Sequence, residues 1–263
     1  MQGELEIVSN SKIANSRGIF SLVIESTSKT DVTGSCLYEF LPGQYLTIQC
    51  GENTICPRPF SIARSTMGKT EVLYQVRGEG TKWLSERKPK EKVFVVGPQG
   101  TGFVFNDVER PLLIAGGMGI ASMLGILGME DLGQRHFRLV YGTKSIYERI
   151  PETRIPNWKS VDLITEEGCT DRKGRVTDFM PEFIDRYRPD VIYACGPMPM
   201  LKALQEKLAP YGDVPCQVSL EAFMGCGGLG NCNGCVIKTV EGRLFKVCQD
   251  GPVIDLNRVC FDE

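Results

Sequence analysis

The sequence predicts a multi-domain chain: a small antiparallel β-barrel, then an α/β domain on a parallel sheet, then a short carboxyl-terminal domain that needs a staple. Three observations predict it. Residues 1–105 hold short β-branched and aromatic stretches separated by Pro and Gly turns, residues 106–214 alternate apolar strand candidates with helical patterns, and residues 215–263 are rich in glycine and cysteine.

In the first region, residues 19–24, 45–50, 69–76 and 92–96 read as strands. Pro42-Gly43, Gly51-Glu52-Asn53 and Gly78-Glu79-Gly80 supply turns between them, and short strands with regular turn signals suit a small barrel. From Pro111 onward, residues 112–115, 137–141, 161–165 and 191–194 are apolar strand candidates. Met200, Leu201, Leu204 and Leu208 share one helical face, with Pro199 suited to the first turn. Strands alternating with helices predict a parallel sheet with covering helices. After Pro215 no apolar run is long enough for a core, so this segment calls for a metal or cluster to hold it.

Charge and composition narrow the function classes. A net charge of −2 over 263 residues gives no electrostatic footprint for nucleic acid or an anionic membrane. Residues 112–129 form eighteen positions without a charge, which touches the lower limit for a membrane span. Five of them are glycine, three in Gly116-Gly117-Met118-Gly119, so a strand, a glycine turn and a buried helix are expected there and no membrane span. The opening Met1-Gln-Gly-Glu-Leu-Glu shows no basic region leading into an apolar stretch, and the expected location is cytoplasmic. Eleven cysteines in that compartment are thiols or ligands rather than disulfides. His136 is the single histidine, which leaves almost nothing for a histidine metal site or a Ser-His-Asp triad.

Four cysteines carry a spacing. Cys226, Cys232, Cys235 and Cys248 follow C-x5-C-x2-C-x12-C, one residue longer in the first gap than the plant-type two-iron pattern. The intervening glycines let backbone N–H groups approach thiolates that carry the cluster's negative charge. Residues 236–246, with Glu241-Gly242 as the turn, read as a hairpin that returns the fourth ligand. The alternative is a zinc site with four cysteine ligands; zinc ribbons favour two C-x2-4-C knuckles, and here Cys232/Cys235 alone fits that rule.

Upstream, Arg58-Pro59-Phe60-Ser61 and Gly78-Glu79-Gly80-Thr81 lie twenty residues apart. An arginine beside a serine can pair with a pyrophosphate while the hydroxyl reaches a flavin ring, and the glycines before Thr81 open backbone N–H groups to phosphate. Each motif alone is weak. Together, in a barrel-like segment, they gain weight.

With these motifs the chain resembles the ferredoxin–NADP reductase superfamily. The resemblance rests on Pro42-Gly43-Gln44-Tyr45, Arg58-Pro59-Phe60-Ser61, Gly78-Glu79-Gly80-Thr81, Gly97-Pro98-Gln99-Gly100, Gly116-Gly117-Met118-Gly119-Ile120 and Cys195-Gly196-Pro197-Met198, in the family's order over nearly the whole chain. Ser219-Leu220-Glu221, Met224, the cysteine loop and Cys248-Gln249-Asp250-Gly251-Pro252-Val253 look like the electron-transfer subunits of NAD-dependent dihydroorotate dehydrogenases.

The resemblance implies FAD in the barrel, NAD(H) or NADP(H) on the parallel sheet, and a [2Fe–2S] cluster held by Cys226, Cys232, Cys235 and Cys248. It implies flavin contacts from Arg58 and Ser61, with Pro59 and Phe60 shaping the ring's bed, and Gly80 and Thr81 at the FAD pyrophosphate. Gly116, Gly117 and Gly119 would bring backbone near the nicotinamide nucleotide; Cys195, backed by Gly196 and Pro197, would sit near the nicotinamide–flavin contact. It further implies an electron relay serving a flavin-containing catalytic subunit that oxidises dihydroorotate, in a heterotetramer. Two alternatives stand beside it: a relay of the same fold for another oxidoreductase, and a zinc-stapled, non-catalytic interaction module.

The remaining candidates read as structural. Cys36, Cys50, Cys56, Cys169, Cys216 and Cys260 show no ligand spacing and are expected to pack. Glu166-Glu167 could meet a ribose hydroxyl, but a solvated loop is the expectation. Arg135, Arg138 and Lys144 fall in no motif that selects NADP over NAD.

Overall fold

Six strands close into an antiparallel barrel in the computed structural model, which describes residues 2–25, 40–51, 56–66, 68–129, 136–168, 170, 172–212 and 214–261. They are β1 (Gln2–Lys12), β2 (Ile19–Glu25), β3 (Tyr45–Ile48), β4 (Arg58–Thr66), β5 (Lys69–Gln75) and β6 (Lys92–Gln99), in the spatial order β1-β2-β5-β4-β3-β6. Period-two alternation fills the interior with a pair from each strand: Leu5 and Ile7, Leu22 and Ile24, Leu46 and Ile48, Phe60 and Ile62, Val72 and Tyr74, Val93 and Val95. Leu84, from the short helix α1 (Glu79–Ser85), joins the same core.

The parallel sheet runs β10-β9-β8-β7-β11-β12-β15. Its members are β7 (Pro111–Gly116), β8 (Arg138–Thr143), β9 (Val161–Thr165), β10 (Arg172–Lys173), β11 (Val191–Cys195), β12 (Cys216–Ser219) and β15 (Val253–Asp255), the last antiparallel to β12. Alternate residues of β7 face opposite layers. Leu113 and Ala115 pack with α2 (Ile120–Leu127), whereas Leu112 and Ile114 pack with Met180, Phe183 and Ile184 of α3 (Met180–Tyr187) and Leu201, Leu204 and Leu208 of α4 (Met198–Leu208). Every residue of α2 is buried, because this helix is wedged between the sheet and β4 of the barrel. The uncharged run 112–129 is thus strand, glycine turn and buried helix, and among the described residues no helix is long and apolar enough to cross a membrane. A half-buried ion pair also ties barrel to sheet domain: Arg154 meets Glu71 and Ser21, and Arg64 donates to the Arg154 carbonyl.

Arg58-Pro59-Phe60-Ser61 comes after strand β3 and itself opens β4, where proline at the second position is tolerated because the strand is only beginning. One expectation changes. The segment after Pro215 has more of a core than its texture suggests. β12 and β15 extend the parallel sheet, and Val218, Met224, Phe245, Val247 and Ile254 share a core with α3 and α4. These strands are three or four residues long, too short for a sequence period to show. The hairpin β13 (Val236–Lys238) and β14 (Leu244–Lys246) forms as expected around Glu241-Gly242, with Gly242 at φ +75°. Cys36, Cys169 and Arg135 lie outside the described residues.

Candidate functional site

Barrel and sheet meet in a cleft of about 380 Å³. One wall is β4, contributing Pro59, Phe60 and Ser61, and β5, contributing Leu73, Tyr74 and Gln75. Gly116 and Gly117 enter from the carboxyl end of β7, where open α/β sheets bind ligands. Tyr45, Glu221, Met224 and Pro252 close the far side. The apolar bed with polar edges suits a flat aromatic ring. Glu221 lines the cavity with much of its surface open to solvent; partial desolvation of its carboxyl against the cavity wall holds it above the usual range, opposed by Arg77.

At the barrel end, Arg58 donates to the Cys56 carbonyl at 3.1 Å and lies against α1. A β-carbon at Gly80 would come within 3.2 Å of Cys50 Cβ and 3.3 Å of Arg58 Nε, so glycine lets helix and guanidinium meet. The Thr81 hydroxyl closes its own turn: it accepts from the Arg77 and Gly78 N–H groups at 2.9 and 3.1 Å and donates to the Gly78 carbonyl. Cys50 is buried, and burial pushes its thiol up to about 12 against the pull of Arg58.

A second cavity, about 350 Å³, shares Arg77, Gly116, Gly117 and Pro197 with the first. It continues over the carboxyl ends of β8 and β9, past Thr143, Lys144 and Glu166, to the turn 174–177. Its floor depends on glycine. A β-carbon at Gly116 would lie 2.4 Å from Met200 Sδ, one at Gly196 2.5 Å from Met200 Cε, and one at Gly142 2.3 Å from Val176 Cγ1. Gly119 serves packing beneath the cavity: its β-carbon would sit 2.0 Å from the Cys195 carbonyl oxygen. Cys195 lies under the shared wall, 2 % exposed, and lines neither cavity. Burial first, then Glu221, pushes its thiol up to about 12, and the Ser122 and Ser219 hydroxyls face it.

The cysteine loop packs against the barrel side of the first cleft. Thr47 and Gln99 donate to the Gly227 carbonyl at 3.1 and 3.3 Å, and Tyr45 donates to the Cys248 carbonyl at 3.1 Å. Gln249 donates to Gly228 and Lys246 to Gly230. Gly227, Gly228 and Gly230 all have positive φ, and a β-carbon at Gly228 would lie 2.1 Å from Gln99 Oε1. Burial raises the Cys226 thiol, but N–H donors from Cys232, Asn231 and Gly230 and the Cys232 thiol outweigh it and hold it down to about 6.

Cys248 moves the other way, up to about 11, through burial and the Cys235 thiol beside it. Among the described residues no group of three or more His, Cys, Asp or Glu converges as for one metal ion. The thiols approach in pairs, Cys226 with Cys232 and Cys235 with Cys248, and N–H groups reach the sulfurs, including Gly234 N–H to Cys232 Sγ at 3.4 Å. Four thiols in two pairs with amide donors fit a two-iron cluster.

Of the residues that sequence motifs singled out, Pro59, Phe60, Ser61, Gly116, Gly117 and Pro197 line the cavities, and Arg58, Gly80, Thr81, Gly119, Cys195 and Gly196 do not. Sequence motifs missed Tyr74, Arg77 and Arg175, which the fold delivers from separate strands and turns, while Lys144, which fell in no motif, lines the second cavity. Arg77, directly before Gly78-Glu79-Gly80, was the one with a local signal. Glu166 lies in an exposed turn after β9, as expected, and from there also lines the second cavity.

Comparison with known proteins agrees with this geometry. The iron–sulfur cluster binding domain of dihydroorotate dehydrogenase B matches residues 221–260. The electron transfer subunit of dihydroorotate dehydrogenase B (NAD(+)) from Caldanaerobacter subterraneus subsp. tengcongensis is 42 % identical over 84 % of this chain and 87 % of its own length. The subunit of the same name from Listeria welshimeri is 31 % identical over 98 % of this chain and 99 % of its own. Among solved structures, one from the NADH-dependent reduced ferredoxin–NADP oxidoreductase superposes with a TM-score of 0.84 at 28 % identity, covering 98 % of this chain and 90 % of that one. By relatedness along nearly its whole length, the chain belongs to the family of electron transfer subunits of dihydroorotate dehydrogenase B.

Proposed function

We propose that this chain passes electrons between NAD(H), FAD and a [2Fe–2S] cluster on behalf of a flavin-containing catalytic subunit that oxidises dihydroorotate, within a cytoplasmic heterotetramer of pyrimidine biosynthesis. Residues 1–105 hold FAD, 106–214 the nicotinamide nucleotide and 215–263 the cluster. When bound, FAD supplies both hydride exchange and single-electron exchange, which lets electron pairs be divided. The protein's part is placement. Arg58 neutralises the FAD pyrophosphate beside the N–H groups at Gly80 and Thr81, Pro59 and Phe60 bed the ring, and Ser61 offers its hydroxyl to the ring's edge.

Gly116 and Gly117 let the nicotinamide approach with no side chain in the way, Gly119 and Gly196 allow the close packing beneath, and Pro197 walls the shared opening. Cys195 stays a neutral thiol under that wall. Cys226, Cys232, Cys235 and Cys248 hold the cluster, with amide donors steadying its negative charge. No side chain is required to move a proton during electron transfer, which accords with the single histidine.

One observation carries the reading: two cavities share Gly116, Gly117, Pro197 and Arg77, while Tyr45 joins the first cavity to the carbonyl of Cys248. Nicotinamide, flavin and cluster would therefore lie in series. The test is purification followed by assay of FAD, iron, sulfide and zinc. About one FAD and about two irons per chain support the relay; a colourless protein with zinc and no iron refutes it in favour of the stapled module.

The likeness to the ferredoxin–NADP oxidoreductase structure favours one second reading, a relay of this fold serving another oxidoreductase. Reduction of NAD by dihydroorotate after adding a dihydroorotate-oxidising subunit separates the two. Absence of that activity with every such partner selects the second.

A further inference from the structure

Tyr45, Thr47 and Gln99 of the barrel donate to carbonyls of the cysteine loop, Tyr45 to Cys248 and the other two to Gly227. Along β3, Tyr45 and Thr47 alternate with Leu46 and Ile48, so the first pair faces out toward the loop while the second fills the barrel. Of the three donors, Tyr45 alone also lines the first cavity. Its cross-strand partner on β4 is Ser61, which lines the same cavity, and the β-carbons of such opposed residues sit about 5 Å apart.

Packing fixes this side chain. Tyr45 is 3 % exposed, and although it stands on a barrel strand it shares a core with Met224, Cys235 and Cys248. Two glycines make room for it. A β-carbon at Gly100 would come within 3.0 Å of Tyr45 Cε1, and one at Gly228 within 2.9 Å of its hydroxyl oxygen. That hydroxyl lies 3.1 Å from the Cys248 carbonyl oxygen. One buried side chain thus walls the first cavity and reaches the backbone of a ligand cysteine.

We propose that Tyr45 is a positioning residue for electron passage between flavin and cluster: its hydroxyl holds the Cys248 backbone against the flavin cleft and eases reduction of the cluster. The inference rests on reading the first cavity as the flavin site and the four cysteines as cluster ligands. Passage of one electron oxidises the flavin by one electron and reduces the cluster by one, and no bond forms or breaks. The part played by Tyr45 is therefore electrostatic. Reduction adds negative charge near the Cys248 carbonyl oxygen, itself partly negative, and the hydroxyl proton on that oxygen offsets the repulsion in a buried setting.

The test compares wild type, Tyr45→Phe and Thr47→Val as full chains with their own cofactors. Tyr45→Phe keeps the ring and removes the hydroxyl. Thr47→Val removes a donor to the same loop from the same strand, at a residue that does not line the first cavity. Flavin and iron content report folding and loading. Titration with dithionite and redox mediators, followed by electron paramagnetic resonance, reads the cluster's midpoint potential with no nucleotide present. Tyr45→Phe moves that potential to more negative values, shifting the distribution of electrons from cluster toward flavin by about two- to tenfold, the scale of one neutral hydrogen bond. Thr47→Val moves it less.

An unchanged potential in a Tyr45→Phe chain that retains flavin and iron overturns the inference and leaves the flavin and cluster assignments standing. An equal shift in Thr47→Val makes the effect a general loosening of the loop and overturns the particular role of Tyr45. Loss of iron from Tyr45→Phe reduces the hydroxyl to a structural support, which overturns that role as well. A wild type that carries no flavin or no iron overturns this inference and the assignments together.

Discussion

Single atoms decide much of this site. A β-carbon at Gly228 would collide with Gln99 Oε1 at 2.1 Å and would have to adopt φ +90°. Gly228→Ala should therefore lower stability by about 2–4 kcal/mol and reduce iron content, measured by denaturant unfolding and metal analysis. Cys195 gives a pH prediction. Its folded value is raised from 9.0 to about 12, so the folded state holds the proton more tightly than the unfolded chain. The resulting stabilisation is complete below pH 9 and is lost as pH rises toward 12. Wild-type stability should fall across that window, and Cys195→Ala should flatten the slope; an unchanged slope would place the effect elsewhere, with Cys216 and Cys50 the other buried thiols raised by desolvation. Residues in motifs were legible before folding, whereas Tyr74 and Arg77 acquire their places through contacts between distant strands and turns.

At the level of elements, the glycine turn between β7 and α2 separates two uses of the same residue type. Gly119 allows α2 to rest against the end of β11, where an added methyl would lie 2.0 Å from a carbonyl oxygen. Gly117 has φ +54° and open space around its absent side chain. Gly119→Ala should cost about 2–4 kcal/mol in denaturant unfolding, and Gly117→Ala about 1–2 kcal/mol from backbone strain alone. The order reversed would contradict the packing role. Most barrel strands were legible from β-branched runs between turns. β1 was not read, although Glu4-Leu5-Glu6-Ile7 alternates as a half-buried strand does, and β4 was not, because it begins with Arg-Pro. The helix over Leu201, Leu204 and Leu208 showed plainly because its apolar spacing spans about two turns.

For the molecule as a whole, the cysteine segment is built onto the nucleotide sheet and leans on the barrel. Val218, Phe245 and Val247 bury into the sheet's core, and Thr47, Tyr45 and Gln99 of the barrel donate to the loop's carbonyls. Replacing one ligand, as in Cys248→Ser, should remove iron while FAD remains bound, since Arg58, Pro59 and Ser61 lie on β4 rather than in the loop. Loss of both together would mean that the cluster is needed to form the flavin cleft. The central claim is that nicotinamide, flavin and cluster stand in series within this one chain. Anaerobic titration of the isolated chain with NADH, following flavin absorbance and the cluster's electron paramagnetic resonance together, tests it most directly. The account predicts that flavin bleaching is accompanied by the signal of a reduced [2Fe–2S] cluster without any partner subunit; a flavin that bleaches while the cluster stays oxidised under excess NADH would contradict it.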